Sequence, residues 1–389
     1  MELQTHLRAT FIAPTSRADI AAVLGAAPNH LVVRFASDAD DGRYTLSFGD
    51  DTPTGDAVPA WVRECAGVVV DANDDHRIVA FCAPRSLDLG PEDLVATLPP
   101  GDKRWYPYVE GIRVLAYRWN GALRLSTSKV VDAYGSRYFR GSPTFGEQFD
   151  AAAVGLVRDR LVEGRCYAFV VQSPDTPMVA PAATSGLLHI STVDLASLTP
   201  VDDNDDVGVP RPAWEPVGDS WDALVARFDA PLAPSFLGAI VTGQGSPGSP
   251  GTSFPLHAKV MHRSYTQARD LVGADRDLAR RMMEVSLDAA QRQALVGLLP
   301  HMKPQLYQVD QRVHAAVCAV LDAYVAFNVR RQRQPLPQPV YETIKALHHR
   351  VYLPRACPRA PLAYGDVDAY VRGLSPRVVG GLCRAVEKA

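Results

Sequence analysis

The chain has 389 residues, 47% of them hydrophobic, and a formal net charge of −3. That length can bury one large core or two ordinary ones, so two or three domains are expected. No run of about 18 or more uncharged apolar residues occurs, and Met1–His6 lacks the basic region and apolar core of a signal peptide, which predicts a soluble globular protein, cytoplasmic or nuclear, with no membrane partner.

Cysteines stand at Cys65, Cys82, Cys166, Cys318, Cys357 and Cys383 with no Cys-x-x-Cys pair. Reduced buried thiols are expected, and no zinc site. Charge is distributed unevenly: residues 256–389 carry 20 Lys+Arg against 11 Asp+Glu, a balance of +9, which leaves 20 against 32 for residues 1–255. Clusters such as Arg330-Arg331-Gln332-Arg333 and His348-His349-Arg350 could meet phosphates by charge attraction, the alternative being an ordinary solvated helix face.

In chain order, Ser16 predicts an N-cap for a helix over Arg17 to Leu24. Leu31–Phe35 and Tyr44–Phe48 read as paired strands around an Asp/Gly-rich turn, followed by a polar loop over 50–59. Trp61 to Asp71 and Arg77 to Arg85 read as a second hairpin turning at Asn73-Asp74-Asp75. The stretch Tyr106 to Lys129 reads as two strands joined at Asn120-Gly121, a dipeptide that takes the positive φ angles of a tight turn. Phe145 and Phe149 share one face of a core helix. Arg165 to Pro174 and Leu187 to Val193 read as strands, 199–216 as an exposed acidic loop, Ser220 to Phe228 as a short helix, Phe236 to Val241 as a strand, and 243–251 as a flexible glycine-rich loop. Asp202 to Asp206 lacks the glycine turn and distal glutamate of a calcium loop. From Thr266 the periodicity is helical, with proline joints at Pro300, Pro304, 335–339, 354–361 and Pro376.

Five of these segments, spanning roughly residues 30–265, resemble in order and spacing the motifs of RNA ligases similar to the T-even phage enzyme, which belong to the covalent nucleotidyltransferases. Ala66-Gly67-Val68-Val69-Val70-Asp71 resembles the segment ahead of the nucleophile, with Ala66 in place of arginine. Tyr108-Val109-Glu110-Gly111 resembles Lys-x-Asp-Gly, with Tyr108 where the nucleophilic lysine belongs. Tyr167-Ala168-Phe169-Val170 with Ser173-Pro174 resembles Phe-x-Phe-Glu-x-x-Ser-Pro, with Val170 for glutamate. Leu237-Gly238 resembles Glu-Gly, and His257-Ala258-Lys259-Val260-Met261 followed by Tyr265 resembles His-x-Lys-aliphatic-Lys, with Met261 for the second lysine.

The resemblance implies an α+β protein: an antiparallel-sheet nucleotidyltransferase domain (ATP-grasp-like or RNA ligase-like) over 1–265, followed by an all-helical domain over 266–389. It implies a nucleotide pocket lined by Tyr108, Glu110, Gly111, Arg113, Lys129, Phe169 and Lys259, with no catalytic residue and no metal ligand assigned. ATP and magnesium would serve only an active enzyme. Such an enzyme needs an unprotonated amine to attack the α-phosphorus; a phenol, with its ordinary pKa near 10, is not this family's route. Losing one preorganised charge typically costs about 2.7–4 kcal/mol, so loss of the nucleophile and both glutamates leaves essentially no ligase chemistry.

The expected function is therefore a catalytically degenerate RNA ligase-like protein that binds RNA or nucleotide, with RNA met through the basic C-terminal domain. An active ATP-dependent RNA ligase with a rearranged site, using Lys103 as a displaced nucleophile, is the alternative; an unrelated structural protein sharing only strand patterns is a third. Glu110 could equally stabilise a turn, Lys259 could be a surface strand lysine, and Arg113 and Lys129 could be solvated hairpin charges.

Overall fold

The computed structural model describes residues 2–388 apart from 13–14, 27–30, 39, 50–58, 84–85, 139–140, 175, 177–178, 180–181, 183, 202–205, 234, 244–255, 274–277, 333–334 and 356–359. Most of the acidic run at 202–206 and of the glycine-rich loop at 243–251, together with Arg333, Cys357 and most of the loop at 50–59, lies outside the described residues. Residues 1–265 and 266–389 form two compact units.

The first unit opens with α1 (Glu2–Thr10) and α2 (Arg17–Gly25). Ser16 caps α2 as its sequence predicts: its hydroxyl accepts from the Asp19 amide at 3.2 Å, satisfying one of the first-turn donors that a helix leaves without an internal partner. Leu3, Leu7, Ile20 and Leu24, paired at four-residue spacing, are all buried against an antiparallel sheet. That sheet orders β1 (Leu31–Phe35), β2 (Arg43–Phe48), β3 (Val68–Asp71) and β4 (Arg77–Ala80), with a one-turn helix α3 (Ala60–Arg63) preceding β3. Trp61 to Arg63, expected as strand, is thus helical.

The chain continues through β5 (Leu87–Leu89), α4 (Pro91–Thr97), β6 (Gly101–Pro107), β7 (Ile112–Trp119) and β8 (Ala122–Thr127). β7 and β8 are the hairpin predicted at Asn120-Gly121, whose φ angles of 51° and 73° are the paired left-handed conformation of a two-residue turn. Its first strand does not reach back to Tyr106, however. Tyr106 lies in β6, which pairs with a different sheet, and Tyr108–Gly111 is the crossover between the two.

Then follow α5 (Phe145–Ala152), β9 (Arg165–Gln172), β10 (Gly186–Asp194) and β11 (Thr199–Pro200), giving a second, wholly antiparallel sheet in the order β11-β10-β9-β7-β8. Thr144 and Glu147 form a capping box that starts α5. β12 (Glu215–Gly218), α6 (Asp222–Asp229), β13 (Gly238–Gly243) and β14 (Leu256–Met261) complete the third sheet, ordered β12-β6-β13-β14-β5 and antiparallel except where the short β5 lies parallel to β14. Helix α7 (Arg263–Val272) follows directly.

All described secondary structure of residues 266–389 is helical: the end of α7, then α8 (Leu278–Leu287), α9 (Ala289–Leu298), α10 (Lys303–Tyr324), α11 (Gln338–Leu347), α12 (Tyr364–Arg372) and α13 (Pro376–Glu387). Pro304, Pro339 and Pro376 sit in first helical turns, where a missing N–H breaks no helical bond. The 30-residue stretch Pro300–Val329 is long and apolar enough to cross a membrane by length and composition. In this unit α8, α11, α12 and α13 pack against α10, and its Leu306, Val309, Val313, Val317 and Val320 are buried. The chain is thus a mixed α+β protein of antiparallel sheets with a helical C-terminal region.

Candidate functional site

Strand alternation locates the site. In the third sheet Trp105, Ala239, Val241, Ala258 and Val260 pack with the apolar residues of α4 and α6. Arg104, Tyr106, Ile240, Thr242, His257 and Lys259 therefore occupy the opposite face. In the second sheet Val114, Tyr167, Phe169 and Val171 pack with Phe149 and Ala152 of α5, which places Arg113 and Val170 on the other side. The Tyr108–Gly111 crossover joins the two sheets beside these faces.

The crossover is held at both ends. The Tyr108 amide donates to the Gly238 carbonyl at 2.8 Å. A Cβ on residue 111 would lie 2.5 Å from the Val171 carbonyl oxygen and 2.6 Å from Val170 Cγ1, so strand packing alone requires glycine there. Between these anchors the Lys259 ammonium stands over the Tyr108 ring, 4.6 Å from its centroid, an attractive cation–π contact. Tyr265 meets the same ring at a tilted, near edge-on angle, centroids 6.0 Å apart, and its hydroxyl donates to Glu110 Oε1 at 2.9 Å. Glu110, Tyr108, Lys259 and Tyr265 thus form one connected set.

Burial first, then the neighbouring Tyr108 and Glu110, push the Tyr265 phenol far above its ordinary value. Burial, with Glu110 and Tyr108 again nearby, pushes Tyr138 up to about 12. Both phenols therefore stay protonated at neutral pH, and the Tyr265 hydroxyl keeps the proton that it donates to Glu110. Replacing Tyr265 by phenylalanine keeps the buried ring and removes the hydroxyl that donates to Glu110. The expected result is a loss of about 1.5–3 kcal/mol, the range for a hydrogen bond to a charged group, read as a lower urea midpoint with an unchanged slope.

Beside this set lies a cationic one. Arg113 Nη2 donates to the Ala66 carbonyl at 2.7 Å, reaching the segment where the resemblance expects another arginine. Arg104 stacks over Trp214 at 4.3 Å. Burial, then the charges of Arg113 and Arg104, push the His257 imidazole down to about 4, so it is neutral at pH 7.

The remaining expected residues lie elsewhere. Lys129 is exposed on the turn after β8, where its carbonyl accepts Arg34 Nη1 at 2.9 Å. Phe169 is fully buried on the face that packs α5, its ring 5.6 Å from Phe149 and 5.2 Å from His189. That placement makes it a core residue rather than a wall of the pocket, because the site face of β9 belongs to its neighbour Val170. Lys103 lies against Gly243, five residues back along β6 and so roughly 16 Å from Tyr108; it does not reach the crossover. Conversely, Arg104 and Tyr138 join the site although no motif in the sequence marks them, and His257, which the resemblance places at the head of its last motif, joins them from the strand face it shares with Lys259.

The donor set does not fit a divalent metal. Val170 and Leu237 offer no oxygen at the two glutamate positions, and Leu237 is buried. Glu110 Oε1 is taken by Tyr265, and among the described residues no three His, Cys, Asp or Glu side chains converge. The cationic residues do suit a phosphate or another anion.

No family model matches the chain, and no curated protein matches it. Among solved structures it is similar to an archaeal ATP-dependent RNA ligase (TM-score 0.44, 14% identity, 80% of this chain and 82% of that one). It is also similar to a putative ATP-dependent DNA ligase from Aquifex aeolicus (0.36, 10%, 68% and 74%) and to an RNA ligase of Naegleria gruberi (0.35, 9%, 49% and 58%). The structural neighbours are thus RNA and DNA ligases, at low identity and low TM-score.

Proposed function

We propose that residues 1–265 are an RNA ligase-like nucleotidyltransferase unit that has lost covalent chemistry and binds RNA or nucleotide, with the basic residues of 266–389 adding RNA contacts. One observation carries the reading: the residue at the nucleophile position is Tyr108, and the charged groups around it are engaged with aromatic partners, Lys259 on its ring and Glu110 on Tyr265. No attacking amine and no metal-binding carboxylates stand at the expected positions, while Arg104, Arg113 and His257 supply an anion-binding face. In the helical unit Arg330, Arg331, His349 and Arg350 are exposed, as backbone-phosphate contacts require.

The test is to incubate the full chain with radiolabelled ATP or GTP plus magnesium or manganese. No stable protein–nucleotide adduct is expected, whereas RNA affinity should fall as salt rises, because phosphate neutralisation releases counterions with a slope of about −0.7 per contact for a single strand. A flat salt dependence would remove the electrostatic basis of RNA binding.

The second reading, an active ATP-dependent RNA ligase with a rearranged site, is favoured by the closeness of the Lys259 amine to the Tyr108 ring. It requires an adduct that forms in Lys103→Ala and is abolished in Lys259→Ala; a label lost in Lys103→Ala would instead place the nucleophile on β6.

A further inference from the structure

Reduced, buried thiols are the sequence expectation, and Cys65, Cys82, Cys166 and Cys383 meet it, each no more than 9% exposed. Cys318 departs from it. It lies on α10 one helical turn after His314, partly open to solvent, and its sulfur is 3.6 Å from His314 Nε2. Spacing of four residues brings the two side chains onto one helix face. The other ring nitrogen of His314, Nδ1, is 2.7 Å from the hydroxyl of Tyr364, the first residue of α12. The imidazole is thus held from both sides, with its second nitrogen aimed at a thiol.

We propose that Cys318 is a nucleophilic thiol, activated by His314 and open to modification by soft electrophiles. Tyr364 is a positioning residue: its hydroxyl accepts Nδ1–H, which fixes the imidazole and leaves Nε2 as the acceptor facing the thiol. Burial and the Asp368 carboxylate keep the Tyr364 phenol above its ordinary value, so it remains protonated throughout. Both carboxylates of α12 are paired, Asp368 Oδ1 with Arg372 Nε at 3.0 Å and Asp366 Oδ1 with Arg355 Nη2. With iodoacetamide as the electrophile, His314 Nε2 takes the thiol proton and Sγ attacks the methylene carbon. The C–S bond forms as the C–I bond breaks, iodide leaves, and the imidazolium returns its proton to solvent.

The experiment uses the full chain carrying Cys357→Ser, which removes the one cysteine outside the described residues. The rate of iodoacetamide labelling at Cys318 is followed at pH 7 by peptide mass spectrometry. His314→Ala should slow labelling about tenfold, in keeping with loss of an adjacent base, and added free imidazole should restore much of the rate. Tyr364→Phe, which keeps the ring packed against His314, should slow it about threefold with an unchanged thermal midpoint. Labelling of Cys318 at the rate of glutathione under the same conditions would overturn the proposal. So would a His314→Ala rate equal to the parent's, or a loss that imidazole fails to restore, since the last outcome would make His314 merely structural.

Discussion

Phe169→Ala is expected to destabilise residues 1–265 by about 3–5 kcal/mol, the cost of removing a fully buried aromatic side chain and leaving a cavity. Its ring packs between Phe149 of α5 and His189 of β10, so the substitution strips contacts from both the helix and the neighbouring strand. All five tryptophans lie in this unit, at Trp61, Trp105, Trp119, Trp214 and Trp221. Urea unfolding followed by tryptophan fluorescence therefore reads the first unit apart from the helical one. The resemblance to RNA ligases would make Phe169 part of a nucleotide pocket, and the two roles have opposite signatures. A core residue moves the urea midpoint strongly; a pocket wall moves nucleotide affinity at nearly constant stability. A midpoint shift worth less than about 1 kcal/mol would contradict its burial and return Phe169 to the pocket.

The same residue shows what could be read from the chain and what could not. Local signals were legible: Asn120-Gly121 marks its turn because few residues accept two successive positive φ angles, and Ser16 marks the start of α2 because its hydroxyl fits the cap. The helical nature of residues 266–389 followed from periodicity. Which face of a strand looks into a pocket was legible in principle, since period two separates Phe169 from Val170, but a motif comparison treats neighbours as equals. The assignment of Tyr106 to the β7 hairpin failed for a different reason: apolar alternation runs through Tyr106 and Ile112 alike and does not say that the chain changes sheets between them. Helices α1 and α4 are short, and their marks in the sequence are slight: Leu3 and Leu7 lie one turn apart and Pro91 opens α4. Least legible was the site itself. Tyr265 and Glu110 are 155 positions apart, and the arginines that depress His257 come from β6 and β7, far from β14 in sequence. Such partners exist only once three strands have been brought together.

That depressed His257 carries the second large expectation. In the unfolded chain its imidazole returns to the ordinary value near 6.5, whereas in the folded unit it titrates at about 4. Between those two values the unfolded state binds the proton more readily, so the contribution of His257 to stability is complete above about pH 6.5 and is lost as the pH falls toward 4. The shift corresponds to at most about 3 kcal/mol, reduced to the extent that the partly exposed ring edge is relaxed by solvent. His257→Gln should flatten this part of the stability–pH curve. Arg113→Met, by removing one cation, should raise the titration and narrow the window. The difference curve against the parent chain cancels His6 and His76, which burial also depresses. A polyanion seated against Arg104, Arg113 and His257 would favour the charged imidazole, so saturating ATP should shrink the loss between pH 6.5 and 4. If the His257→Gln difference curve is the same with and without bound ATP, the nucleotide sits elsewhere and the anion-binding role of this face fails, while the acid sensitivity of His257 itself would stand.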